Sequence, residues 1–313
     1  MRIFRDIDQI PNIRNCVVTT GSFDGVHIGH QALINRLNQL ARENNGESTL
    51  ITFYPHVRKV LYPDTAGKEL EMINSQKEKI ELLEKTGLDN LIIITFTKEF
   101  AQTKAEDFVR NILVGKLGAK IIVVGFNHYF GHNKEGNYEK LIEMGKELNF
   151  QVVEIPPQEL EKETVGSSKI RKSLKQGKIM HANAYLDHIY FINTHFTEGS
   201  HLYRNAGFKT FGLTIEEDSK LIPPDGIYAI SAAIEGDYQK GMLLNNYHGS
   251  FRHPELKQAV EVYFFQTDGK NYHKMNGKVF VHKEIRKQIT VHDSKILRQQ
   301  LLQDKKIIED LIY

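Results

Sequence analysis

Cysteine occurs once in the 313-residue chain and tryptophan not at all. The single thiol, Cys16, excludes a disulfide framework and a thiolate cage around a metal, and it fits a reducing compartment, so the cytoplasm is the expected location. Net charge is nearly absent too: 41 Lys and Arg against 39 Asp and Glu leave +2. No long basic run could neutralise a phosphate backbone, so nucleic acid is not an expected partner. Apolar runs are short, none nearing the about 18 residues that cross a bilayer. MRIFRDIDQI carries acidic residues where a signal peptide would be apolar, so the chain is expected neither to be exported nor to enter a membrane. What is present, 40% hydrophobic and 26% charged residues, suits a globular protein with two modest cores. Its partners are then small molecules, and a homo-oligomer is compatible with this composition.

The first half alternates short apolar runs with amphipathic stretches. CVVTTG (16–21), STLITFY (48–54), NLIIITF (90–96), KIIVVGF (120–126) and FQVVEIP (150–156) read as strands, with helical periodicity over 30–43, 76–86, 105–116 and 138–148. Near-continuous apolar strands separated by helices predict an α/β fold with a parallel sheet covered on both faces. Ligands in such sheets sit beyond the C-terminal strand ends, which here follow Thr20, Thr52, Thr95 and Val124. After about Asn183 the pattern changes. IYFINTHF, FGLTI, GIYAISAAI, GMLLN, AVEVYFF and GKVFVHKEI follow one another without intervening helices, then a helical tail from about Asp293. This predicts a small antiparallel barrel or sandwich closed by one helix.

Residues 17–31, VVTTGSFDGVHIGHQ, run a buried strand into Gly21, Asp24, Gly25, His27, Gly29 and His30 before an amphipathic helix. Glycines admit a ligand close to the backbone, and the free N–H groups of a first helical turn attract phosphate. His27 and His30 are close enough in sequence to face one oligophosphate, with Gly29 leaving room for it. The same letters also describe a capped helix start with surface histidines. A metal site lacks a third ligand at a convincing spacing.

GSFDGVHIGH resembles the G-x-F-D-G-x-H-x-G-H signature of the bacterial FMN adenylyltransferase (FAD synthetase) module of the HxGH nucleotidyltransferases. The resemblance continues in order along the chain. ITFYPHVRKVL (51–61) is similar to T-F-x-P-H-P-x-x-V-L, departing at Val57, and VVGFNHYFGHNKEGN (123–137) to V-G-x-D-x-x-F-G-x-x-x-x-G, with Asn127 where Asp is common. VGSSKIRKSL (165–174) resembles the S-S-T-x-I-R element, with Gly166 in place of the leading Ser. The resemblance implies transfer of AMP from ATP, with Mg²⁺, to FMN, giving FAD and pyrophosphate. It implies His27, His30 and Arg171 as catalytic contacts to the phosphates and Gly21, Ser22, Phe23, Asp24, Gly29, Ser167 and Ser168 as the rest of the ATP site. Asn127, with Phe126, His128 and Tyr129, is expected on the flavin side. The plain alternative makes Phe126 and Phe130 core residues at a strand end.

The family's bifunctional members continue with a riboflavin kinase barrel, which implies an adenylyltransferase domain over 1–183 and a kinase-like domain over 184–313. IPPDGIYAI (222–230) resembles P-x-x-G-V-Y-A, AVEVYFF (259–265) resembles V-E-V-x-x-x-D, and Glu284-Ile285-Arg286 resembles R-I-R. Thr210 and Glu261 match a metal-and-phosphate threonine and the base toward the riboflavin hydroxyl. Around them Lys209, Gly212, Asn246 and Gly249 replace family residues, and Leu202 and Tyr203 put bulk into the nucleotide loop. The expectation is therefore FAD synthesis beside a weak or silent kinase. The alternatives are a fully bifunctional enzyme, another nucleotidyltransferase, which would leave the second half unexplained, and a non-catalytic flavin-binding regulator.

Overall fold

The structure is a computed structural model that describes residues 1–126, 128–157, 159–160, 163–245, 260–267, 269–287 and 293–311. The chain divides into two compact units, Met1–Glu71 with Lys79–Gly166, and Met72–Glu78 with Ser167–Tyr313.

The first unit is built on β1 (Arg2–Phe4), β2 (Val17–Thr20), β3 (Ser48–Tyr54), β4 (Asn90–Thr95), β5 (Ile121–Gly125) and β6 (Gln151–Ile155). All pair in parallel in the order β1-β4-β3-β2-β5-β6. The apolar runs are buried on both sides because successive side chains alternate between two cores. Val17, Leu50, Leu91 and Ile121 face the core shared with α1 (Ile28–Glu43), whereas Val18, Ile51, Ile92 and Ile122 face the other. α1 contributes Leu33, Ile34, Leu37, Leu40 and Ala41, a stripe at helical spacing. On the opposite side lie the π-helical Phe108–Lys116, continuing α4 (Ala105–Asp107), and α5 (Tyr138–Leu148). Short α2 (Val57–Leu61) and then α3 (Gln76–Glu84) link β3 to β4. β1 escapes sequence reading because three half-exposed residues show no pattern. Strand order reverses between β2 and β5, so the crevice for a ligand opens beyond their C-terminal ends.

Cys16 is fully buried, and burial pushes its thiol up to about 12 although it donates to Thr49. It is a packing residue.

A two-residue pair, β7 (Glu159–Leu160) and β8 (Glu163–Thr164), ends the first unit. The second unit opens with α6 (Ser167–Lys175) and α7 (Ile179–Leu186), followed by a closed antiparallel barrel. Its strands are β9 (Phe191–Glu198), β10 (Phe211–Thr214), β11 (Gly226–Ile234), β12 (Asp237–Asn245), β13 (Val260–Phe264) and β14 (Asn276–Lys287), with α8 (His201–Asn205) between β9 and β10. Around the barrel the order is β10-β13-β12-β11-β14-β9. Phe196, Phe211, Phe264 and Tyr272 pack edge to face and tilted inside it. α9 (Ser294–Glu309) buries Leu297, Leu301 and Ile308, and Asp304, in the same stripe, takes a bidentate pair of bonds from Arg286 at 2.9 and 2.7 Å.

A second buried ion pair holds Met72–Glu78 within this unit. Lys220 and Glu78 have side chains 1% exposed each, with nitrogen and oxygen 2.6 Å apart. Lys220 Nζ also donates to the carbonyls of Ile73 and Phe191 and lies 4.2 Å from the centre of the Tyr190 ring, while Glu78 accepts from the backbone of Ser75 and Asn193. Every strong charge in the cluster is answered, which buried ions require. Lys220→Met is expected to cost about 3–5 kcal/mol, because a buried carboxylate and two carbonyls lose their donor. The Lys220→Met, Glu78→Gln double variant should cost less than the sum of the two single changes. Urea unfolding of the full chain, with hydrogen exchange read at the barrel amides, checks this; additive costs would contradict the coupling.

Candidate active site

The strand-to-helix turn after β2 is bent tightly. Gly21 donates to the Ile51 carbonyl at 3.0 Å and Val26 to the Phe23 carbonyl at 3.3 Å. Phe23 and Val26 hold left-handed backbone, at φ 49° and 41°, a conformation that side chains with a Cβ rarely adopt. Both side chains are 2% exposed and belong to the α1 core, so packing compensates the strain. The Ser22 carbonyl is held from two sides, by Thr52 Oγ1 at 3.2 Å and Lys79 Nζ at 3.3 Å, and Lys79 also donates to Thr52 Oγ1 at 3.1 Å.

The turn delivers two imidazoles to the head of α1. His27 is the helix N-cap, its Nδ1 accepting a long bond of 3.4 Å from the His30 N–H, which puts the proton of the neutral ring on Nε2. His27 and His30 stack with ring centres 3.6 Å apart and planes 17° from parallel, and Phe23 closes on His30 at 4.8 Å. Gly29 permits this, since a Cβ there would stand 3.3 Å from Cε1 and Nδ1 of His27. His30 Nδ1 is enclosed without a hydrogen-bond partner among the described residues. Burial, then the His27 ring, then the Lys79 charge hold His30 well below the usual histidine range. His30 is therefore uncharged at neutral pH, beside the partial positive charge of a helix N-terminus.

The loop after β5 meets this turn. His128 Nε2 lies 3.4 Å from Thr20 Oγ1, at the end of β2, and burial lowers its pKa to about 4. Phe126 and Tyr129 are each 56% exposed, so Phe126 is not the core residue of the plain alternative. Phe130 is partly buried, packs against the second core and covers Gly136. Asn127 lies outside the described residues.

Ser167 and Ser168 open α6 and Arg171 follows one turn on, with Ile170, Ser173 and Leu174 as its buried side. These three belong to the second unit and Gly21, Ser22, Phe23, Asp24, His27, Gly29 and His30 to the first. In the barrel, Thr210 and Glu261 converge on Gly199–Ser200. The Glu261 carboxylate accepts from the Ser200 N–H at 3.1 Å, and a Cβ on Gly199 would strike Thr210 Oγ1. Thr210 is 5% exposed and its hydroxyl has no hydrogen-bond partner among the described residues. The nucleotide-loop region forms α8, and Tyr203, counted as obstructive bulk from the sequence, is turned into the barrel core beside Phe208. Positions 246–250 lie outside the described residues. Among the described residues, no group of three or more His, Cys, Asp or Glu side chains is placed to hold a metal ion. Lys79 was missed by sequence reasoning, since one lysine in a helix rich in charge gives no signal.

A family model for FAD synthetase matches residues 9–169, and one for riboflavin kinase matches residues 186–312. The chain belongs to the bifunctional riboflavin kinase/FMN adenylyltransferase family. The relative from Buchnera aphidicola of Acyrthosiphon pisum is 29% identical, covering 99% of this chain and 97% of its own. Those from Bacillus subtilis and Listeria monocytogenes are each 30% identical, covering 92% and 80% of this chain and 90% and 77% of theirs. All three are described as bifunctional riboflavin kinase/FMN adenylyltransferase. A crystal structure from Streptococcus pneumoniae, described as a macrolide-efflux protein, is 25% identical and covers 99% of both chains at a TM-score of 0.88. In the present chain, no helix among the described residues is long and apolar enough to cross a membrane. FMN adenylyltransferase activity follows from the family, with ATP, Mg²⁺, FMN and riboflavin as its small molecules.

His128 makes the fold sensitive to acid. Its folded pKa, about 4, lies below the unfolded value of about 6.5, so the unfolded chain binds the proton more tightly. Its penalty is nearly absent above pH about 6.5, grows as pH falls, and levels off only below pH 4, at about 3 kcal/mol. His128→Gln should lose less stability between pH 7 and 4.5 than the parent chain. Urea midpoints across that range test this; parallel curves would refute it.

Proposed function

We propose that the chain makes FAD by joining the FMN phosphate to the α-phosphorus of ATP at the head of α1. The observation that carries this reading is the His27–His30 stack, presented by a strained turn at a helix N-terminus beyond the switch point of the sheet. An FMN phosphate oxygen forms the new bond to the α-phosphorus, and the bond to the bridging oxygen breaks, its electron pair leaving with pyrophosphate. The nucleophile is already ionised at neutral pH, so no general base is needed. The protein's contribution is position and stabilisation of charge that grows on the α-phosphate and the leaving group. His27 offers Nε2–H, and His30 and the first N–H groups of α1 add donors. Gly21 to Asp24 shape the turn, and Gly29 keeps the approach open. Mg²⁺ enters with ATP as part of the substrate.

Ser167, Ser168 and Arg171 are assigned to the phosphates as well, on the chemistry of a helix start with a guanidinium fork one turn on. That assignment takes residues 1–183 as the transferase module and 184–313 as the kinase-like one. Exposed Phe126 and Tyr129, with His128 and Asn127, are assigned to the flavin ring. The cytoplasm is the proposed location, in keeping with one reduced and buried thiol.

For the barrel, the expectation of a weak or silent kinase finds no support in relatives described by both activities. A working riboflavin kinase is favoured by one observation, the unpartnered Thr210 hydroxyl beside Glu261, since a buried hydroxyl without a partner is costly unless a ligand answers it. Chromatography of the purified full chain with ATP and Mg²⁺, supplied with FMN or riboflavin, tests both readings. FAD from FMN is expected, with kcat/KM reduced about 10²–10³-fold in His27→Ala and in His30→Ala. Ser168→Ala and Arg171→Ala should raise the KM for ATP. FMN from riboflavin would establish the kinase; its absence would establish the silent barrel. Tight flavin binding with neither product would refute the enzyme reading.

A further inference from the structure

We propose that Lys79 is a positioning residue for adenylyl transfer, its ammonium holding the Ser22 carbonyl and with it the turn that presents His27 and His30. The inference rests on the adenylyl-transfer reading above. Lys79 is only 6% exposed, an expensive place for a lysine, which is retained there only where charge or hydrogen bonding is used. Its Nζ reaches the Ser22 carbonyl at 3.3 Å and Thr52 Oγ1 at 3.1 Å, and Thr52 Oγ1 donates to the same carbonyl at 3.2 Å. The three groups form a triangle beneath a turn whose Phe23 and Val26 carry left-handed backbone. A carbonyl fixed from two donors at the entry to that turn limits how it can relax, so the geometry of the two histidines is inherited from the triangle.

Lys79 has a second effect on the same pair. The titratable groups acting on His30 are His27, from its own turn, and Lys79, from α3, and both oppose a proton on its ring, in addition to burial. A protonated His30 would set a cation against the His27 ring 3.6 Å away and beside the Lys79 ammonium, which loosens the stack. Lys79 thus favours the uncharged, stacked form before the nucleotide arrives.

The test compares full-length Lys79→Met, Lys79→Gln and Lys79→Arg with the parent chain. The imidazole resonance of His30, assigned by its loss in His30→Ala, is titrated by NMR, and FAD formation is followed across pH. In Lys79→Met the His30 titration should move up, the acid limb of kcat/KM should follow it, and kcat should fall about tenfold to a hundredfold. Lys79→Gln keeps donors for Ser22 and Thr52 without the charge, so it should move the titration equally while losing less kcat. Lys79→Arg should return the titration to its parent position. A folded Lys79→Met with unchanged titration and kcat would overturn the inference, as would failure of Lys79→Arg to restore the titration. Failure of both Lys79→Met and Lys79→Gln to fold would make Lys79 a structural residue and overturn it too. Absence of FAD from the parent chain would sink the adenylyl-transfer reading alone, because the His30 titration still judges Lys79.

Discussion

The backbone between β2 and α1 must reverse direction within a few residues while keeping both ends in regular structure. It does so by placing Phe23 and Val26 in the left-handed region, at a cost of about 1–3 kcal/mol each. Burial of the two side chains offsets this, at about 2 kcal/mol for each apolar side chain removed from water. The turn is thus bound to the α1 core, and the core to the turn. Gly21, the Ser22 carbonyl, the His27 cap and the gap at Gly29 all take their positions from this one bend. A strained turn supported by packing is stiff, and stiffness is what a site working by position needs.

The same crowding sets the electrostatics. Two imidazoles whose centres are 3.6 Å apart cannot readily both carry protons, and burial adds to the opposition. The helix N-terminus supplies partial positive charge that needs no proton at all. In the adenylyl transfer proposed above, donors fixed in place before the reaction lose little by reorganising during it. His128, at the neighbouring strand end, shows the same preference for the neutral ring and for the same cause, burial.

The barrel solves a different problem. Its interior is aromatic and needs no charge, yet a buried ion pair, Lys220–Glu78, and a partly buried one, Arg286–Asp304, lie in the unit. Each is answered by backbone groups or by a bidentate geometry, the condition under which a buried pair is tolerated. Such pairs add little net stability against an apolar replacement, but they penalise any arrangement that separates them, and so fix where Met72–Glu78 and α9 lie within the unit. Thr210 and Glu261, far apart in sequence, meet at Gly199–Ser200 because β10 pairs with β13 in a register that sets Gly212 opposite Glu261.

Much of this was legible in the amino-acid order. The apolar runs at 16–21, 48–54, 90–96, 120–126 and 150–156 mark the parallel strands because a sheet covered on both faces leaves no polar alternation to disguise them. The six barrel strands and the closing helix were equally visible, and GSFDGVHIGH located the turn, its glycines and its histidines. The sequence by itself therefore determined the parallel sheet, the antiparallel character of the second half and the residue types at the head of α1. Only the tertiary structure decided that His27 and His30 stack, that Tyr203 faces inward instead of obstructing a loop, that Phe130 packs against a core while Phe126 is exposed, and that Glu78, Lys79 and Lys220 are buried. Those three are ordinary charged residues in the linear chain. They acquire a role when water is removed around them and a carbonyl or an opposite charge from a distant segment takes its place, and burial of that kind depends on contacts between segments that no local spacing encodes.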